Sequence, residues 1–300
     1  MKRSILTQLS LMVARRDFRL VFTCVLALTL YDFAVNLIGY SLADANLLGS
    51  RLANLMRVSS GDYSSLYSWH YLYAGNANAN IGPLFSVLYP FIVVFPFGFS
   101  YMQDRNVRLL NHYILKSGKK NYFRSKLIAA FIGGFLIIAI PFAVNLILSY
   151  ATFPHTYNSP LQYAQSLTGD RVDRDTVFGA KPFAILFVQS LPLYNMLYLL
   201  FFSLFTGLLS AFSMALSFLI RRRKILLLVP LFVLFQLGAN LSGVIYDNDN
   251  MRFFNTDILD YFGTDAFYGQ SVVFISVLLG MFVLFIAGSY RYAVRREDIS

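Results

Sequence analysis

The chain has 300 residues, of which 57% are hydrophobic and only 13% charged, and its formal net charge is +10. Soluble domains carry about 25% charged residues, so this composition excludes a soluble globular protein and points to an integral membrane protein. A single cysteine, Cys24, excludes both an intrachain disulfide and a cysteine metal site.

Residues 4–19 read "SILTQLSLMVARRDFR", which places Ile5, Leu9, Met12 and Val13 on one helical face ahead of Arg15 and Arg16. This is the pattern of an interfacial helix. About 20 apolar residues are needed to cross the hydrocarbon core, and six stretches meet that length. They are Leu20–Tyr40, Ile81–Tyr101, Leu127–Tyr150, Leu193–Leu219, Ile225–Tyr246 and Ser271–Tyr290. Most close on a tyrosine, as the interfacial aromatic belt favours. The expected fold is therefore all-α and polytopic, with six transmembrane helices. The "ADA" at residues 43–45 has the composition of a signal-peptide cleavage site, but the length of the span and of the 19 residues before it argue against cleavage.

Within the first span, Asp32 is the one deeply placed acid, and Asn36 follows at i+4 on the same face. An ionisable group at that depth costs roughly 2.5–3.5 kcal/mol on insertion scales and marks a functional candidate. Two readings stand side by side. Asp32 faces a substrate path or a seam with a second chain, or it is hydrogen-bonded to a neighbouring helix, for example at Gln236 or Asn240. The outer segment 41–80 is rich in aromatics, and the second span carries Pro90 and Pro96, which should kink it, as Pro141 should kink the third.

The segment 102–126 holds seven Lys or Arg against one Asp. Leu109 and Tyr113, and Leu110 and Ile114, are spaced at i,i+4, with Arg105, Arg108 and Lys116 elsewhere around the helix. Asp104 or Asn106 is expected to cap its start and Ser117-Gly118 to end it. Such a helix either lies on anionic lipid or docks into a partner. Beyond it, Ala129/Gly133, Ala130/Gly134 and the series Ser203, Gly207, Ala211 and Ala215 have the small-residue spacing of closely packed helices. Segments 151–192 and 247–270 read as outer loops or re-entrant pieces, with Pro192 dividing apolar Lys181–Leu191 from the fourth span.

Orientation follows from the bases. The segments 1–19, 102–126, 221–224 and 291–300 together hold 19 Lys or Arg, and the alternate loops hold six along with ten Asp. By the positive-inside rule both termini and the basic segment face the cytoplasm of a cell (plasma) membrane. The net charge is then a topological signature and not a nucleic-acid footprint.

A basic loop between spans two and three that ends in "KKNYFRSKLIAAFIGG" resembles the coupling-helix region of type-2 ATP-binding-cassette (ABC) exporter permeases. The N-terminal stretch resembles the elbow helix of that family, and six spans with a polar segment after the fifth agree with its layout. The resemblance implies a permease subunit whose coupling helix (Arg105, Arg108, Leu109, Leu110, Tyr113, Ile114, Lys116) docks on a separate ABC ATPase subunit. It also implies a second permease chain, identical or related, with membrane lipid around the assembly. ATP and Mg would be bound by the ATPase, and the cargo would be a hydrophobic or amphipathic peptide, antibiotic or lipid. Family members often carry Glu in this loop and in the outer re-entrant region. Glu297 is the only glutamate here, so a Glu-dependent step has no residue to carry it.

The chain has no phosphate-cradling G-x-x-x-x-G-K-[ST] loop of its own: in "YILKSGKK" a tyrosine stands at the first glycine and a lysine at the Ser/Thr. His70, His112 and His155 fall in three separate loops, without metal-site spacing. The sequence therefore reads as a non-enzyme without a metal site or cofactor. Two other classes remain open. A secondary transporter would show several ionisable groups within the spans and an internal repeat. A membrane scaffold or immunity protein would use the basic segment for docking alone.

Overall fold

The computed structural model describes residues 2–44, 81–106, 113–115, 118–152, 191–220, 224–246, 258–259 and 272–296. Arg108, Leu109, Leu110, Lys116 and the Asn36 side chain lie outside the described residues, as does most of segments 41–80, 151–192 and 247–270. Regular structure among the described residues is helical throughout. In chain order the helices are α1 (Lys2–Ala14), α2 (Arg16–Asp44), α3 (Ile81–Val94), α4 (Ser100–Asn106), α5 (Lys119–Thr152), α6 (Leu191–Leu219), α7 (Leu228–Tyr246) and α8 (Val272–Arg296). A 3-10 turn at Lys224–Leu227 leads into α7.

Three of these helices are long and apolar enough to cross a bilayer: α5, the Asn195–Leu219 part of α6, and the Val273–Arg296 part of α8. At 1.5 Å per residue, the 34 residues of α5 extend about 51 Å, well beyond a hydrocarbon core of about 30 Å. Its basic residues lie in its first turns, ahead of the apolar run. Helix α5 begins at Lys119 and not at Leu127, because "KKNYFRSK" continues the same helix.

The stretch Ile81–Tyr101, expected as one span, is two helices. Pro96 has no N–H to donate, and the chain turns through residues 95–99 before α4 begins. Gly98 N–H bonds to Val94 O at 2.7 Å, and Ser100 N–H to Phe97 O at 2.9 Å. A Cβ on Gly98 would stand 2.5 Å from Ser213 Oγ, so α6 leaves no room for a side chain at this turn.

Helices α5 and α6 form the central pair. A Cβ on Gly207 would stand 2.8 Å from Phe131 O, and one on Gly134 would run into Ser210. Ser203, Gly207, Ala211 and Ala215 are all buried, so their i+4 spacing is that of a helix contact. Helices α1 and α2 pack on α5, α8 packs on α6, and α3 lies against α6 and α7. Tyr89 of α3 stacks on Phe202 at 5.5 Å and shares a 2.7 Å hydrogen bond with Thr206. On α1, Gln8 and Met12 are buried, whereas Val13 is 40% exposed. The face expected to include Val13 is thus rotated, because α1 packs on α5 and buries a stripe that includes a glutamine.

Candidate functional site

The chain bends at Arg15, between α1 and α2, where Arg15 N–H bonds to Met12 O at 3.1 Å. That bend aims the Arg15 guanidinium at the end of α4. Its Nη1 donates to Gln103 Oε1 at 2.9 Å and its Nη2 to Asp104 Oδ1 at 2.8 Å. The other carboxylate oxygen faces α5, where Lys126 Nζ lies at 2.6 Å and the Tyr122 hydroxyl donates at 2.8 Å. Lys126 also donates to Ser100 Oγ at 2.6 Å. Gln103 Nε2 reaches Asp17 Oδ2 at 3.5 Å, and Ser4 Oγ of α1 reaches Ser125 Oγ at 3.2 Å. One carboxylate therefore ties together the α1–α2 bend, α4 and the start of α5.

Burial sets the energetics of this clamp. The Lys126 side chain is 1% exposed and that of Asp104 6%, while that of Arg15 is 23% exposed. An ammonium without solvent is tolerable only where a carboxylate and further hydrogen bonds replace water. Asp104 and Ser100 supply them. Arg15 is partly hydrated and depends less on the pair.

Asp104 had been expected to cap the basic segment. It lies inside α4, and its carboxylate is engaged by Arg15, Tyr122 and Lys126, which makes it a tertiary anchor. Arg105 is exposed one residue on. At the far end of the segment, residues 113–115 are helical, and Gly118, at φ 79°, donates its N–H to Ile114 O at 2.9 Å. A left-handed glycine closing a helical turn is a common C-terminal cap. Tyr113 stacks on Tyr122 with centroids 6.2 Å apart and planes 17° from parallel. Ile114 is buried, and Leu115 is 74% exposed. Ile114, expected on the docking face, packs inward, and beside it Leu115 is exposed.

Arg15, Gln103, Asp104, Tyr122 and Lys126 were not singled out by periodicity. The available signal was the lone acid among seven bases, which marks Asp104 as a residue in need of an explanation. Phe218 packs edge to face on both Tyr101 and Phe123 beside the clamp, with the three ring centroids 5.0–6.0 Å apart. They join its base to the end of α6.

A second polar cluster lies deeper. Asn145 of α5 donates through Nδ2 to Thr29 O at 2.8 Å and to Asp32 Oδ2 at 3.4 Å. Ser149 donates to Asn145 Oδ1 at 3.3 Å. Asp32 is 3% exposed, so it lies within the α2–α5 contact, where Asn145 is a hydrogen-bond partner; the Asn240 side chain lies outside the described residues. Among the described residues, no three His, Cys, Asp or Glu side chains gather as a metal site. No protein-family model, no curated protein and no solved structure matches this chain.

Proposed function

We propose that this chain is the membrane-spanning permease subunit of an ABC exporter of the type-2 class. In this reading six helices cross the plasma membrane with both termini cytoplasmic. A separate subunit hydrolyses ATP, and a second permease chain completes a pathway for hydrophobic or amphipathic cargo. The observation that supports it is the clamp. Asp104 and Gly118 bracket a basic segment whose two ends are fastened to the same cluster, through Asp104 itself and through the Tyr113–Tyr122 stack. A push on that segment is delivered to α5, one of the two central helices, and to the α1–α2 bend.

The test is purification of the tagged chain from its native membranes, with mass spectrometry of what accompanies it. An ATP-hydrolysing subunit in stoichiometric amount is expected, and it should be lost on Leu109→Asp/Leu110→Asp/Leu115→Asp. Ile114 is left intact because it is buried. Absence of any ATPase from the intact preparation contradicts the proposal and favours a secondary transporter or a scaffold.

A further inference from the structure

Arg15 turns inward to Asp104, and the residues that follow it on α2 turn outward. Arg16, Arg19, Leu20, Thr23 and Cys24, all exposed, form one face of α2 along a shallow, open groove of about 400 Å³.

We propose that this groove holds one anionic phospholipid, with its phosphate between Arg16 and Arg19 and an acyl chain along Leu20 and Cys24. Three features of the site lead there. The arginines lie ahead of the apolar run that starts at Leu20, so the groove passes from cationic to apolar in the head-to-tail order of a lipid. Guanidinium groups bind phosphate through paired N–H donors and are well matched to it. Lastly, both arginines are open to a ligand: Asp104 is held by Arg15, Tyr122 and Lys126, and among the described residues neither Arg16 nor Arg19 is ion-paired. A zwitterionic lipid brings its own cation to the phosphate and gains less from two arginines. Free phosphate gains nothing from Leu20 or Cys24. The inference rests on the apolar helices lying in a bilayer and is independent of any ATPase partner.

Cys24 is the only cysteine in the chain, so its alkylation reports occupancy directly. The full-length chain in detergent micelles is treated with a maleimide in the presence of phosphatidylglycerol, phosphatidylcholine or inorganic phosphate. Phosphatidylglycerol should slow the reaction severalfold, and the other two should leave it unchanged. An arginine beside an anionic headgroup contributes about fivefold in affinity. Arg16→Gln/Arg19→Gln should therefore raise the phosphatidylglycerol needed for half-protection about 25-fold. Should that variant not fold, Thr23→Trp decides: its indole fills the groove, so Cys24 reacts slowly from the outset and phosphatidylglycerol adds nothing. Equal protection by phosphatidylcholine, protection by inorganic phosphate alone, or no protection at all overturns the proposal. So does an unchanged half-protection point in the double variant, or a lipid effect that persists in Thr23→Trp.

Discussion

Replacing Asp104 with asparagine removes the one negative charge facing Lys126 and Arg15 while keeping the side chain's size. Lys126 is then a buried ammonium with Ser100 as its remaining strong acceptor. Removing one partner of a buried pair costs about 3–5 kcal/mol, because the other charge is left uncompensated. Arg15 is partly hydrated, so Arg15→Gln should cost less, about 1 kcal/mol. Removing both buried charges in Asp104→Asn/Lys126→Met eliminates the uncompensated ammonium, and methionine refills most of the volume. That double variant should regain most of the 3–5 kcal/mol. The assay is equilibrium unfolding of the purified full-length chain in mixed micelles, run as a double-mutant cycle. An Asp104→Asn change within about 0.5 kcal/mol of the parent, or a double variant no more stable than Asp104→Asn, would refute the reasoning.

Other outcomes follow from the same contacts. Tyr122→Phe keeps the ring against Tyr113 but loses the donor to Asp104, and it should cost about 1.5–3 kcal/mol in the same unfolding assay, as hydrogen bonds to charged groups do. Gly207→Ala drives a Cβ to 2.8 Å from Phe131 O and should cost about 1–3 kcal/mol, whereas Gly280→Ala on α8 meets nothing within 4 Å. The latter should be neutral or gain up to about 1 kcal/mol from helix propensity, and equal effects at the two glycines would contradict the packing described. Asn145→Leu removes the amide that joins Thr29 and Asp32 and should cost about 0.6–1.7 kcal/mol, the range of hydrogen bonds between membrane helices. Asp32→Asn should cost less than Asn145→Leu, and the reverse order would mean that the Asp32 charge itself matters.

The apolar runs made the helices legible, because burial in a bilayer demands length and composition that a sequence displays openly. The small residues at i+4 are the pattern of close helix packing, but the spacing does not say which helices meet; that Gly134 and Gly207 leave no room for a methyl group between α5 and α6 is seen only in the packing. Pro96 suggested a kink, but only the packing of Gly98 against Ser213 shows why the chain turns fully there. The clamp was hidden for a different reason. Arg15 and Asp104 are 89 residues apart, and helical periodicity carries no information about which distant polar groups share a buried site. Asp104 was assigned a local role because its neighbours in sequence suggested a helix start. Apolar residues alone define a face of α1 that includes Val13, whereas the face buried in the bundle includes Gln8 and leaves Val13 exposed.

The account stands on the idea that motion of the basic segment reaches α5 through Asp104. The most direct measurement is ATP hydrolysis by the assembly co-purified with this chain, compared with the assembly formed on Asp104→Asn/Lys126→Met. The account predicts that the ATPase subunit remains bound at its original stoichiometry while hydrolysis loses its dependence on the membrane subunit and falls several-fold. Hydrolysis unchanged in the variant, or no ATP-hydrolysing partner in the parent assembly, would contradict it.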